Sequence, residues 1–333
     1  MRIALIASMI LIGLASCTNK SSELVLPPTI TGEKISDNGV EVFDPSVDIL
    51  FVIDNSGSMQ PHQNNLSKNV SRFIQTFVSK SGLDFHIGVV TTDMEDSSWN
   101  RNPCCGRLTG NPRFVERNTP NFSQALARNM VVGTNGSAEE HSFDPVVAAL
   151  TEPNLSTDNS GFYRPKAHLA VIFVTDAEDQ SRVGVSDFLN FLVALKGDTN
   201  KVSVYGVIVP ASETQCDRDT PGETPDRIES LLAKVSNAGT NKMSLCSPDY
   251  GDKLASLGDD LLRRVGSLIY LNRRPVSSTI RVTFGSQVIP SDASVGFVYD
   301  ASKNAIILGE KIAWTIQPSG TKVQVSYEAA TDL

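Results

Sequence analysis

The sequence predicts an α/β fold with a doubly wound, mostly parallel sheet, followed by a small antiparallel β unit. Residues 47–53 and 168–174 are almost wholly apolar runs, which are typical of strands buried on both faces of a parallel sheet. Segments with helical periodicity alternate with apolar strands, as in folds that place helices on both faces of the sheet. After Pro275 the apolar residues recur with a period of two, as in 280–284 and 323–327, which indicates antiparallel strands.

The spacing of apolar residues also predicts the elements between these strands. Some apolar residues are spaced to line one face of a helix, and others form a continuous strand. After Met59, Leu66, Val70 and Phe73 are spaced to line one helical face, and Gly82 is expected to end that helix. The later predicted elements are a strand at 84–92, a loop-rich insertion at 93–120, a weak helix at 122–132, a helix at 145–150, a helix around 188–195, a strand at 202–209, a helix around 228–235 and a long helix at 252–271.

Length and charge limit the classes of function. The chain has 333 residues, which suggests about two domains. Its net charge is −8, and its isoelectric point is about 5.1. An acidic chain without a basic stretch is a poor match for nucleic acid, so no nucleic-acid partner is expected.

The amino terminus resembles a bacterial lipoprotein signal. Met1-Arg2 is positively charged, and residues 3–14 form an apolar segment too short to span a bilayer comfortably. Leu14-Ala15-Ser16-Cys17 resembles a lipobox, which predicts a signal peptide at 1–16 and a lipid on Cys17; a plain secretory signal is the alternative. Thr18 is not Asp, which implies, by the sorting rule of enteric bacteria, a lipid-anchored protein of the cell envelope at the outer membrane.

The rest of the chain is predicted to form three parts. Residues 17–46 are polar, contain Pro27-Pro28 and show neither helical nor strand periodicity, so they are predicted as a flexible tether. Residues 47–272 are predicted as the α/β domain, and residues 273–333 as the small β unit.

A short polar motif follows the first apolar strand directly. In Asp54-Asn55-Ser56-Gly57-Ser58 a carboxylate and two hydroxyls stand at alternate positions, with Gly57 allowing a tight turn. Residues that follow a parallel strand lie at the carboxyl edge of the sheet, where open α/β folds bind their ligands. Oxygen donors alone suit Mg²⁺ and do not suit metals that prefer thiolate. An ordinary polar turn after a core strand is the alternative.

This Asp-x-Ser-x-Ser motif resembles that of the von Willebrand factor type A domain, in which it begins the metal-ion-dependent adhesion site (MIDAS). The resemblance covers about residues 46–270 and implies a bound Mg²⁺, with Mn²⁺ or Ca²⁺ as alternatives. It implies that Ser56 and Ser58 bind the metal directly. It also implies that Asp54 and Asp176, which follows the second apolar strand, act largely through water.

Two positions are less direct matches to the family pattern. A threonine from a second loop also binds the metal in this family, and Thr134 is preferred here, although Ser137 is better spaced from the next helix; capping of that helix is the alternative role for both. Ala177 stands where the family commonly has glycine, and Glu178 and Asp179 follow it. These two carboxylates are interpreted as a solvated helix start, with pairing to basic neighbours as the alternative.

Together, the lipobox and the resemblance to the type A domain imply a membrane-anchored, metal-dependent protein-binding module of the bacterial cell envelope, acting in adhesion or assembly. The protein partner would supply a carboxylate to the metal. A metal-independent structural subunit of an envelope or secretion assembly is the alternative. Aspartyl-phosphate enzymes also place an aspartate after a buried strand, but they usually require a second aspartate where Ser56 stands, so enzyme activity is not expected.

The four cysteines other than Cys17 allow three pairings, which the sequence alone does not distinguish. An even number in an exported protein favours disulfides. We predict a Cys216–Cys246 bond, which would enclose one helix and would leave Cys104 and Cys105 as an adjacent pair or as two thiols. Free buried cysteines are the alternative.

Overall fold

The computed structural model describes residues 41–43, 46–78, 84–95, 103–213, 216, 224–309, 311–313, 315, 317 and 321–330. The strands are β1 (Glu41–Phe43), β2 (Ser46–Ile53), β3 (Asp84–Thr91), β4 (Phe114–Glu116), β5 (His168–Thr175), β6 (Val202–Ile208), β7 (Lys242–Ser244), β8 (Leu268–Tyr270), β9 (Arg281–Phe284), β10 (Gln287–Ile289), β11 (Phe297–Asp300), β12 (Ala305–Leu308) and β13 (Val323–Ser326). The α-helices are α1 (Gln60–Val78), α2 (Phe122–Met130), α3 (Asp144–Ala149), α4 (Val185–Lys196), α5 (Asp226–Leu232) and α6 (Tyr250–Ser267). The predicted signal peptide, Cys17 and most of the tether lie outside the described residues. Within the described ranges, no helix is both long enough and apolar enough to cross a membrane.

A six-stranded sheet forms the centre of the α/β domain, in the order β4-β3-β2-β5-β6-β7. All neighbours are parallel except β4, which pairs antiparallel with β3 at one edge. β2 is hydrogen-bonded on both sides, so that Phe51 lies opposite Val89 of β3 and Ile172 of β5. This arrangement confirms the predicted α/β fold with a mostly parallel sheet.

The two faces of the sheet carry separate apolar cores, because successive strand residues point to opposite sides. Ile49 and Phe51 of β2 pack in the core that includes buried residues of α1, α2 and α6. Leu50 and Val52 pack in the core that includes buried residues of α3, α4 and α5. Burial of each such side chain contributes about 1.5–3 kcal/mol. The apolar runs in the sequence are therefore the residues that both helical layers cover.

Asp48 is the charged exception within β2, near the amino end of the strand. Its carboxylate is fully buried and accepts hydrogen bonds from Arg164 Nε at 2.8 Å and Arg164 N at 2.7 Å. Lys196 Nζ lies 4.0 Å from the same carboxylate. Burial raises the pKa of Asp48, while the Arg164 guanidinium acts in the opposite direction. This ion cluster lies at the end of the sheet opposite to the Asp54 motif.

The carboxyl-terminal region forms two small antiparallel sheets, in the orders β1-β13-β9-β10 and β11-β12-β8. They share an apolar core that includes Val282, Ile306 and Val325, which confirms the predicted antiparallel unit. Two of their strands come from outside residues 273–333. β1 lies within residues 17–46 and pairs with β13, while β8 lies within residues 47–272 and pairs with β12. Strands of three residues show too little alternation to be recognised, and their partners are distant in the sequence.

Two disulfides are present among the described residues. Cys216 and Cys246 are bonded, with their Cα atoms 5.6 Å apart, as predicted. The bond joins the segment after β6 to the segment between β7 and α6. Cys104 and Cys105 are bonded to each other in the insertion that follows β3. The described part of that insertion also contains β4.

Candidate metal site

Asp54 directly follows β2, and its carboxylate is oriented by two neighbouring elements. Oδ1 accepts a hydrogen bond from Ser56 N at 2.8 Å, and Oδ2 accepts one from the Thr175 hydroxyl at 2.7 Å. Asp54 N donates to Val174 O, which extends the pairing of β2 with β5 by one residue. The side chain is fully buried. The motif carboxylate is thus held in place by the end of the adjacent strand.

The two motif serines and Asp176 lie together at the carboxyl edge of the sheet. Ser56 Oγ is 3.0 Å from Ser58 Oγ, and Ser58 Oγ donates to Asp176 Oδ1 at 3.0 Å. Asp54 and Asp176 follow the neighbouring strands β2 and β5, as expected for a site built across two parallel strands. Gly57 is not required by the turn, because its φ is not positive and a Cβ there would have no atom within 4 Å.

A third segment, residues 133–137, docks against the motif. Gly136 N donates to Asn55 O at 2.7 Å, and a Cβ on Gly136 would lie 2.4 Å from the Asn55 side chain. Ser137 N donates to Asp93 Oδ1 at 2.7 Å, and Asn55 Nδ2 donates to Asp93 Oδ2, also at 2.7 Å. Glycine is therefore needed at position 136 for this close approach, and Asp93 connects the motif to the segment.

The hydroxyls of Thr134 and Ser137 have other partners in this structure. Thr134 Oγ1 donates to Gln60 Oε1 at 3.4 Å, at the start of α1. Ser137 Oγ accepts a hydrogen bond from Glu139 N at 3.0 Å, as a turn-stabilising hydroxyl does. The structure places both residues in the docked segment next to the motif, and it brings neither hydroxyl into the Ser56–Ser58–Asp176 group of contacts.

The segment after Asp176 differs from the sequence interpretation of a solvated helix start. Asp179 is buried, accepts hydrogen bonds from Ser142 N and the Ser181 hydroxyl, and lies 3.2 Å from Arg227 Nε. Glu178 accepts from the backbone of Arg227, at the start of α5, and burial raises its pKa. These two carboxylates bind basic and backbone groups of the protein and tie the segment to neighbouring helices.

The donor atoms at this edge fit a hard divalent cation. In octahedral coordination with metal–oxygen distances of about 2.1 Å, adjacent ligand atoms are about 3.0 Å apart. The Ser56–Ser58 and Ser58–Asp176 oxygen distances are both 3.0 Å. Two hydroxyls and nearby carboxylates are also the ligand types that Mg²⁺ and Mn²⁺ accept. Among the described residues, no group of three or more His, Cys, Asp or Glu side chains forms a different kind of metal site.

No family model matches this sequence, and no curated protein matches it. Several solved structures are similar. Proximal thread matrix protein 1 from the mussel byssus matches with 12% identity over 71% of this chain and 51% of that chain, at a TM-score of 0.41. The pilus adhesin SpaC from Lactobacillus rhamnosus GG, in its open conformation, matches with 12% identity over 85% of this chain and 38% of that chain, at a TM-score of 0.40. A von Willebrand factor type A protein from Catenulispora acidiphila matches with 14% identity over 86% of this chain and 58% of that chain, at a TM-score of 0.37.

The strand order and pairing of this chain show a mixed α/β fold with a six-stranded, largely parallel central sheet. This chain spans 38% to 58% of the length of the three structures. Another structure of the mussel protein has zinc in the MIDAS motif of that protein, at 12% identity and a TM-score of 0.38.

Sequence reasoning missed Asp93 and the part played by Thr175 and Asn55. Asp93 comes two residues after β3, just as Asp176 follows β5, so the position of a polar residue after a buried strand was an available signal. Thr175 is the last residue of β5, and its hydroxyl bonds both the Asp54 carboxylate and Ala177 N. These residues hydrogen-bond to the predicted ligands or to the segments that carry them, and so hold the site in position.

Proposed function

We propose that this protein binds a protein partner through a divalent cation held at the carboxyl edge of the sheet. One observation carries the proposal: Ser58 Oγ lies 3.0 Å from both Ser56 Oγ and Asp176 Oδ1, beside the oriented carboxylate of Asp54. Oxygen atoms that follow two neighbouring strands therefore lie within hydrogen-bond distance of one another, and ligand atoms around an octahedral hard cation have a similar spacing. The cation, Mg²⁺ or Mn²⁺, would supply a positive centre for an oxygen ligand from outside.

The chemistry of the donors supports a carboxylate as that outside ligand. Ser56 and Ser58 are neutral, so they leave much of the cation's charge unbalanced. Asp54 already accepts hydrogen bonds on both oxygens, from Ser56 N and Thr175, which favours a role through water. A Glu or Asp side chain of the partner would complete the coordination and form a charge-assisted contact. Thr134 is the preferred additional hydroxyl, and its use requires the hydroxyl to leave Gln60.

We also propose a location for this protein and a class of function. Cys17 would carry the lipid of an outer-membrane lipoprotein, and the following segment would connect it to β1. The protein would act as a binding module and not as an enzyme. Cys17→Ser should move the protein from the membrane fraction to the soluble fraction, measured by fractionation; continued membrane association would contradict lipid anchoring.

Capture from an envelope extract tests the binding proposal. The full chain in detergent, as wild type, Asp54→Asn and Asp259→Asn, is immobilised and exposed to the extract with Mg²⁺ or with a chelator. Asp259 is an exposed residue of α6 and serves as the matched control. We expect the same captured protein with wild type and Asp259→Asn in Mg²⁺ only, and its loss with Asp54→Asn. Equal capture under all conditions would favour the metal-independent structural role.

A further inference from the structure

The Cys104–Cys105 disulfide lies next to the contacts that hold the candidate metal site. Cys105 N donates to Asp93 O at 2.9 Å. The carboxylate of the same Asp93 holds both Ser137 N, in the 133–137 segment, and the Asn55 side chain, in the motif. A single residue therefore connects the disulfide to the motif and to the docked segment.

The backbone at the disulfide has a conformation that the bond supports. Cys105 has a φ of 61° and Gly106 a φ of 75°, so two successive residues are left-handed, one of them not a glycine. Because the cysteines are adjacent, their bond closes a small ring that contains the peptide bond between them and restrains both residues. Without this ring, Cys105 is expected to return to a negative φ, which turns its N–H away from Asp93 O.

The far side of the turn is packed against the region around α3. Asn154 Nδ2 donates to Cys105 O at 2.8 Å, and Asn159 Nδ2 donates to Gly106 O at 2.7 Å. A Cβ on Gly106 would lie 2.5 Å from Ala149 N. These contacts fix the side of the turn that faces α3. A change in the backbone of the turn would therefore mainly displace the Cys105 N–H that bonds Asp93 O.

The surroundings of the two sulfurs favour attack on one of them. Cys104 is 2% exposed, whereas Cys105 is only partly buried. Arg107 Nη2 lies 3.7 Å from Cys104 Sγ. A cation beside a sulfur stabilises the thiolate and so makes it the better leaving group. An incoming thiolate can therefore attack Cys105 Sγ while Cys104 leaves.

We propose that the Cys104–Cys105 disulfide is a site of reversible thiol–disulfide exchange whose reduction releases the 133–137 segment from Asp93 and weakens cation binding. The inference rests on the proposed metal-binding function. A dithiol reductant supplies two electrons and two protons: its first thiolate forms a mixed disulfide with Cys105, and Cys104 leaves as a thiolate that then takes up a proton. The second thiol displaces Cys105 and leaves the reductant as a disulfide.

The test uses the full chain in detergent, as wild type and as Cys104→Ser/Cys105→Ser, each with and without a dithiol under native conditions. The serine variant keeps Cys216–Cys246, so any effect of reducing that bond occurs in both proteins. Alkylation and peptide mass spectrometry identify the thiols formed. Amide hydrogen exchange of peptides covering residues 133–137 reports docking without metal, and Mn²⁺ titration reports cation affinity.

We expect the dithiol to produce alkylated Cys104 and Cys105 in the folded wild type, to speed amide exchange in the 133–137 segment about tenfold, and to weaken Mn²⁺ binding about tenfold. The serine variant should already exchange fast, with no further effect of the dithiol. Arg107→Gln should slow the reduction severalfold, whereas Arg182→Gln, at an exposed position, should not.

Three results separate the hypotheses. Failure of the dithiol to reduce the bond in the folded protein would overturn the inference. Reduction with unchanged amide exchange and unchanged Mn²⁺ affinity would also overturn it, while leaving metal binding established. Faster amide exchange on reduction, in a protein that binds no Mn²⁺ in either state, would support the coupling and contradict the proposed function.

Discussion

Replacing Asp93 by Asn tests whether this residue holds the metal site together. Asp93 is 3% exposed and accepts two hydrogen bonds of 2.7 Å, from Ser137 N and Asn55 Nδ2. A hydrogen bond to a charged group contributes about 1.5–3 kcal/mol. In Asp93→Asn one oxygen becomes an NH₂ group that faces a donor, and the remaining bond loses its charge. We therefore expect the free energy of unfolding to fall by about 2–4 kcal/mol.

The same change should weaken cation binding, because groups that orient metal ligands typically change affinity by about 10–100-fold when they are mutated. Urea denaturation followed by circular dichroism measures the first effect, and titration with Mn²⁺ measures the second. Asp259→Asn, on the exposed side of α6, should change stability by less than about 0.5 kcal/mol. If Asp93→Asn behaves like this control in both assays, Asp93 does not hold the 133–137 segment.

Three further predictions concern the framework. Arg164→Leu should lower the free energy of unfolding by about 3–5 kcal/mol in urea denaturation, because it leaves the buried Asp48 carboxylate without its main partner. Asp48→Asn in the same chain should recover part of this loss, and a loss below about 1 kcal/mol would contradict the buried pair. Burial lowers the pKa of His168 to about 3, so below pH 6.5 the unfolded state binds more protons than the folded state. The free energy of unfolding should therefore fall as the pH falls from 6.5 towards 3. An equal pH profile for His168→Gln would show that another group is responsible. Cys216→Ser/Cys246→Ser should lower the free energy of unfolding by about 3–4 kcal/mol, because the bond restrains an unfolded chain across a sequence separation of 30. An unchanged denaturation midpoint would mean that the bond does not restrain the unfolded chain.

The central sheet was predictable because burial on both faces demands continuous apolar residues. β2 and β5 carry such runs and lie side by side in the structure. β1 and β8 have three residues each and depend on pairing with β13 and β12, so their local sequence contains little information about their place. Neither short strand can be recognised from its own residues for this reason.

The motif and Asp176 were predictable because each directly follows a buried strand. Asp93 comes two residues after β3, at the beginning of the loop-rich insertion, where a polar residue gives a weaker signal. Asp179 is buried and Glu178 is partly buried because both contact Arg227 of α5, which is distant in the sequence. Composition near these carboxylates suggested solvent exposure, because a charged segment usually lies at the surface.

Titration of the full chain with Mn²⁺ tests the central claim most directly, with wild type compared to Ser56→Ala/Ser58→Ala. The two hydroxyls are the proposed direct ligands, and alanine removes them with little change in volume. Thr134→Ala and Ser137→Ala serve as further variants, because the structure places both residues next to the motif. The account predicts one bound Mn²⁺ per chain in wild type, loss of binding in the double variant and a partial loss in Thr134→Ala. Equal Mn²⁺ affinity in wild type and the double variant would contradict a metal site at this edge of the sheet.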